Sequence, residues 1–479
     1  MSSFPESSTS ARHVAVIGGG ILGSVLALRL REQGFKVTLT EADTRLGGLA
    51  ASERFGAFQW DRFYHVILLS DLHTRKLLEE LGLAAKLRWG TTRTGFYTDG
   101  KLYSMSDAVE FLRFPPLSLI DKLRLGATIF LASRIRRPQR LERILAIHWL
   151  RRWSGSNVLE RIWTPLLKSK LGENYKSASA AFIWAIIARM YAARRSGIKR
   201  EMFGYLDGGY GQVHDALQEK LRAAGVDVRT GFAVETITHD AGGHTIRSRS
   251  GDTVQADHTV STVSPGLTAR MTPQLSDAER SRFSDITYQG VICATVLTRK
   301  PLSNYYVTNI TDGWVPFTGV IEMTALVDRE QAFGGNSLIY LPLYLPQRAE
   351  QWDDTDDQLR ERFLGALARM YPHFNAEDVL DFKVSRARQV LAISTLNYSA
   401  QLAPPMATTL PELYMINSAQ ITYGTLNVNE TLGLIHNHFP ELLERLRADG
   451  HVGRAETSSA AASGSASAGP AAAAAGALS

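Results

Sequence analysis

Residues 14–48, VAVIGGGILGSVLALRLREQGFKVTLTEADTRLGG, constrain this chain more tightly than any other stretch. Val14 to Ile17 is an apolar run that reads as a buried strand. Gly18, Gly20 and Gly23 then fit G-x-G-x-x-G and open a helix that runs to about Gln33. Gly34 stops that helix, and residues 36–40 read as the second strand. Each glycine has a physical task. Gly18 allows the tight turn, Gly20 lets the backbone approach a pyrophosphate, and Gly23 lets helix and strand pack closely. The pyrophosphate is then placed on free N–H groups at the positive end of the helix. Glu41 ends the second strand 18 residues after Gly23, where a carboxylate can bond ribose hydroxyls. A glycine-rich turn in an ordinary α/β protein leaves Glu41 unexplained.

The chain continues Ala42-Asp43-Thr44-Arg45-Leu46-Gly47-Gly48. Arg45 supplies a cation, and Gly47 and Gly48 supply close backbone, for a second approach to the same pyrophosphate. This clause resembles the R-x-G-G extension of the FAD-dependent amine oxidase superfamily. That group includes amine oxidases, protoporphyrinogen oxidase, phytoene desaturase-like proteins and, more distantly, UDP-galactopyranose mutase. The resemblance implies FAD as cofactor and an α/β fold, in which a doubly wound Rossmann-type FAD domain is joined to a discontinuous mixed-sheet and helical substrate domain.

The layout agrees with a broken nucleotide fold. Its pieces are residues 12–65, 204–265 and 405–448, with a substrate domain formed by 66–203 and 266–404. In the second piece, Gly208, Gly209 and Gly211 precede a helix over 212–224, and strands follow at 227–229 and 233–237. The resemblance places the backbone of Val234 at the adenine. In the third piece, residues 412–417 read as a strand and 432–448 as the final helix. The resemblance brings Asn417 and Gln420 to the flavin, and Asn427 to its ring at the N-terminus of the last helix. The superfamily's glycine and acidic residue near Asn417, and its Gly-Ala pair near Val428-Asn429, are absent here.

Strand-like runs at 291–297, 319–326 and 337–345 indicate a second sheet, and residues 357–371 an amphipathic helix. Residues 1–11 read as a disordered start and 455–479, an Ala, Ser and Gly tract, as a disordered tail.

A single cysteine, Cys293, set in an apolar strand-like run, excludes a disulfide framework and a multi-cysteine metal site. We expect no metal. No secretory signal is visible, and the middle apolar stretches are too short to span a bilayer. A cytoplasmic location fits, in solution or at a membrane surface.

Residues 113–200 hold 19 Lys or Arg against four acids, a balance of +15 in a chain of net +6. This helical region reads as a solvated face, a site for an anionic small-molecule substrate, or a peripheral membrane contact. For the last, Phe114-Pro115-Pro116-Leu117 and Ile129-Phe130-Leu131 would insert beside Arg134, Arg136, Arg137 and Arg140. Nucleic acid is not expected, because no stacking or helix-turn-helix signature is present.

Three residues are candidates for catalysis. His65, in Asp61-Arg62-Phe63-Tyr64-His65, can carry a proton near neutral pH. Lys168, or its neighbour Lys170, would be a buried lysine that orients water at the flavin. Tyr423 would face the flavin, where amine oxidases present two aromatics. The resemblance implies hydride transfer from a C–H bond of a small or hydrophobic substrate to flavin N5. One alternative is a redox-neutral sugar-nucleotide mutase with Arg194 and Arg195 on a diphosphate. The other is a membrane-peripheral flavoprotein without catalysis.

Overall fold

The computed structural model describes residues 11–192 and 202–448. The expectations for the two termini, residue 11 apart, and for Arg194 and Arg195 fall outside them. The glycine-rich segment follows the central strand of a five-stranded parallel sheet. Its order is Leu413–Met415, His258–Ser261, His13–Ile17, Lys36–Thr40 and Asp227–Arg229. Val14, Ala15 and Val16 are fully buried because this sheet is covered on both faces, which is why the strand reads as an unbroken apolar run.

On one face lies helix Ile21–Glu32, buried along most of its length. It is held between the sheet and the helices Gly211–Ala223 and Val428–Ala448. On the other face, the antiparallel strands Val234–Asp240, Gly243–Ser248 and Thr253–Ala256 set Ile237, Ile246 and Val254 against Ala15 and Ile17.

A seven-stranded mixed sheet forms the second half. Its order is Val379–Ala392, Tyr288–Thr298, Ser337–Pro346, Gly319–Glu322, Val307–Ile310, Thr94–Thr98 and Lys101–Ser104. Helix Asp356–Met370 closes one face through Leu359, Phe363 and Leu367. The opposite face meets Phe55, Trp60 and Tyr64, in the chain that leaves the glycine-rich corner. Helices Leu119–Arg134, Ala146–Ser154, Thr164–Leu171 and Ala180–Ala192 gather around a third apolar cluster that includes Leu125, Trp149, Ile162 and Ile183.

Several element ends differ from the sequence reading. The last helix starts at Val428 rather than Leu432, because the Asn427 side chain accepts a hydrogen bond from the Glu430 N–H and caps it. The strand read over 319–326 stops at Glu322, whose buried carboxylate accepts bonds from the Leu302 and Ser303 N–H groups. Phe114 and Leu117 are not available for insertion. They belong to the helical core, with Phe114 edge-on to Phe96 and Tyr103. Among the described residues, no helix is long and apolar enough to cross a membrane.

Candidate functional site

Parallel strands deliver all their C-terminal ends to one edge, and most residues singled out from sequence lie there. Gly18 follows Ile17, Glu41 follows Thr40, Thr262 follows Ser261, and Asn417 comes two residues after Met415. The chain runs from the central strand to one side of the sheet first and returns to the other side later. The switch point therefore lies between Gly18 and Thr262, where open α/β sheets bind ligands. From Glu41 to Asn417 is three strand spacings, about 14 Å, a span suited to an extended dinucleotide.

The glycines do three separate jobs. Gly18 has φ +104°, which favours glycine, and donates its N–H to Thr40 O at 2.9 Å. A Cβ on Gly23 would stand 1.8 Å from Gly18 O, so only glycine lets the helix begin this close to the turn. A Cβ on Gly20 would meet no protein atom within 4 Å. Gly20 therefore borders open space and does not serve packing. It is also the N-cap of helix Ile21–Glu32, with no side chain capping the first turn and no acid in that turn. The N–H dipoles there remain available to an anion.

The second glycine pair closes on the first. Gly47 donates its N–H to Gly19 O at 2.9 Å, and a Cβ on Gly48 would lie 3.2 Å from Gly20 Cα. Arg45 on this loop is exposed, with no ion pair among the described residues. Glu41 accepts hydrogen bonds from Gly19 N–H at 2.6 Å and Asp43 N–H at 2.8 Å, one on each oxygen. The remaining lone pairs suit ribose hydroxyls. Val234 is tied to this end, because Phe232 N–H donates to Glu41 O at 2.8 Å.

At the far end of the edge, Asn417 is 1% exposed. Its Oδ1 accepts from the Ala419 N–H, while its Nδ2 has no protein partner. A buried amide donor left open is costly unless a ligand meets it. Gln420 is placed differently from expectation. It accepts from Asn417 N–H and donates to Met415 O and Pro404 O, so it holds the turn that presents Asn417. Asn427 also differs, since its side chain is spent on capping the last helix and bonding Thr425 O. The open space at Gly20, the uncapped helix and the unpaired Asn417 donor together fit a dinucleotide cofactor.

The catalytic candidates separate. His65 Nδ1 lies 3.7 Å from Asp61 Oδ2, and its ring packs on Tyr210 with centroids 5.0 Å apart. Asp61 is itself fixed by the Tyr210 N–H at 2.6 Å. Lys168 is at the surface, in an ion pair with Glu173 at 3.5 Å. Residues two apart on a helix point about 200° apart, so Lys170 turns inward as Lys168 turns out. Lys170 Nζ lies over the Tyr344 ring, 5.9 Å from its centroid, and burial lowers its pKa. Tyr423 does not project a free hydroxyl. It donates to Ser399 Oγ at 3.2 Å, and its ring packs on the helical core.

Sequence reasoning missed the partners that brace this region. Asp71 holds Arg189 through two 2.9 Å bonds, and Asn429 Oδ1 accepts from the His73 N–H, capping a neighbouring helix. It also missed Tyr344, a polar group inside an apolar strand run, and Gln289, which stands two residues before one. That placement was the available signal.

Comparison with known proteins follows the same lines. The model of the flavin containing amine oxidoreductase family matches residues 25–426. A coproporphyrinogen III oxidase from Propionibacterium freudenreichii is 24% identical over 417 residues, covering 74% of this chain and 76% of that protein. The fold is shared with putrescine oxidase solved with putrescine, at TM-score 0.69 and 17% identity, covering 91% and 99% of the two chains. It is shared as well with reduced UDP-galactopyranose mutase, at TM-score 0.68 and 17% identity, covering 92% and 97%.

Gly20→Ala separates cofactor contact from folding. Ala tolerates the backbone of Gly20 (φ −66°) and meets no protein atom. The variant is expected to keep its apo melting temperature within about 2 °C. It should weaken FAD binding roughly tenfold or more, measured by fluorescence titration of the apoprotein.

Proposed function

The chain belongs to the flavin-containing amine oxidoreductase family and is an FAD-dependent oxidoreductase; from that premise we propose that it oxidises a C–H bond of a hydrophobic substrate held between the parallel and mixed sheets. When bound, the flavin supplies the electron chemistry, taking a hydride or its equivalent at N5 and passing the electrons to an oxidant. The protein supplies position, exclusion of water and fixed charge.

One observation carries this reading. The segment that leaves the glycine corner is fastened to the inner face of the mixed sheet. Tyr340 donates its hydroxyl to Asp61 O at 2.6 Å, and the Tyr64 and Tyr344 hydroxyls share a 2.9 Å bond. Val291 and Cys293 on the same sheet face are buried in the apolar cluster that backs it. An apolar substrate pressed against this face is shielded from water at the cofactor end of the sheet edge. In this reading Gly20, Gly47 and Gly48 hold the pyrophosphate, Glu41 the ribose, and Asn417 donates Nδ2 to the flavin end. His65 packs on Tyr210, its Nδ1 makes no hydrogen bond to Asp61, and it is assigned no proton transfer.

Anaerobic mixing with a porphyrinogen, a carotenoid and a primary amine tests the reaction class. Loss of the flavin absorbance with one of them, restored by air or a quinone, is expected. Turnover of a sugar nucleotide only after chemical reduction would replace this reading with the mutase one, which no feature of the described residues favours.

The membrane contact is a second part of the proposal. Leu119, Ile120 and Leu123 are 64%, 69% and 62% exposed on one helix. Arg134, Arg136, Arg137 and Arg140 are exposed with no ion pair among the described residues. Apolar side chains beside unpaired cations suit the surface of an anionic bilayer. Flotation with phosphatidylglycerol vesicles should recover the protein at low salt, and Ile120→Glu with Leu123→Glu should abolish recovery. Equal recovery of wild type and variant would contradict the contact.

A further inference from the structure

We propose that Lys170, Gln289 and the Tyr64–Tyr344 pair form an anion subsite that takes a carboxylate carried by the substrate. The inference rests on the oxidoreductase reading for the substrate's place, but not for the subsite's chemistry.

Lys170 reaches the inner face of the mixed sheet from helix Thr164–Leu171, with Nζ over the Tyr344 ring. It has no ion pair among the described residues. The nearest acid in sequence, Glu173, sits at the surface between Lys168 and Lys176, at 3.5 and 2.6 Å. Lys170 is half-buried, so its ammonium is only partly hydrated and an incoming anion supplies the counter-ion that the protein does not. The fall in the Lys170 pKa has burial as its sole cause, with no acid opposing it.

Gln289 points to the same ligand independently. It is completely buried, and Asn174 Nδ2 donates to its Oε1 at 3.3 Å. That bond occupies the acceptor and leaves Nε2 as a donor with no partner. The two groups share a corner. Gly172, two residues beyond Lys170, has φ +53°, and a Cβ there would stand 4.0 Å from Gln289 Nε2.

The Tyr64 and Tyr344 hydroxyls satisfy one another with one bond, so one O–H remains to donate. The corner therefore offers open donors from Lys170, Gln289 and the tyrosine pair, with one positive charge. A monoanion balances that charge, whereas a phosphoryl dianion would leave excess negative charge. The subsite would orient the substrate by its carboxylate and leave the apolar part to meet the reactive face.

The test is calorimetric titration of the FAD-loaded protein with benzoate and 2-naphthoate, and with their uncharged amides. Wild type should bind the carboxylates roughly tenfold or more tightly than the amides. Lys170→Met should remove that preference while leaving amide affinity and melting temperature within error. Gln289→Leu should reduce it in part, and Lys170→Arg should retain a measurable share. Equal affinity for acid and amide in wild type, no carboxylate binding at all, or an unchanged preference in Lys170→Met would each overturn the subsite. If the chain takes up no FAD but shows the Lys170-dependent preference, the subsite stands and the oxidoreductase reading fails.

Discussion

The contact between Gly23 and the carbonyl of Gly18 sets the position of everything that follows. With a side chain at residue 23, helix Ile21–Glu32 would have to lift from the turn, and its N-terminus would leave the sheet edge. Held down, the helix presents unpaired N–H groups beside open space at Gly20. The Gly47 loop can then close onto the same point, through its bond to Gly19 O. Glu41 reaches across the turn to the Gly19 N–H, so the acidic group proposed to meet the ribose also stabilises the loop proposed to meet the phosphates.

The second half of the molecule is positioned from that corner. The chain passes from the Gly47–Gly48 turn through the hairpin Ser52–Phe55 and Phe58–Asp61, and its next residues are clamped to the mixed sheet by Tyr340 and Tyr344. The helical segment adds Lys170 from above the same face. Cofactor edge, apolar wall and unpaired donors are thus linked by short covalent paths and buried hydrogen bonds. Such links keep a reacting pair in register better than a mobile loop does.

The cofactor corner was legible in the sequence because its demands are local. A positive φ, a missing Cβ or an acid at a strand end can each be read at a single position. Gly18, Gly20, Gly23, Glu41, Gly47 and Gly48 all fall in one short stretch. The distal contacts were less legible, because they depend on which atoms tertiary packing leaves unpaired. Asn417 and Gln420 are both polar residues of one turn, yet one keeps an open donor and the other is consumed in bracing it. Lys168 and Lys170 differ only in helical phase, which residue spacing shows but residue type does not. Phe114 and Leu117 read as an insertion loop but are buried, whereas Leu119, Ile120 and Leu123, on the helix that follows, are exposed, as are Phe130 and Leu131 of the second expected segment.

The central claim is that the sheet edge from Glu41 to Asn417 holds FAD. The visible absorption spectrum of the purified chain, before and after denaturation, tests it most directly. The account predicts flavin bands and the release of about one FAD per chain, with apoprotein regaining the bands on addition of FAD. A colourless protein that takes up no FAD on reconstitution would contradict it.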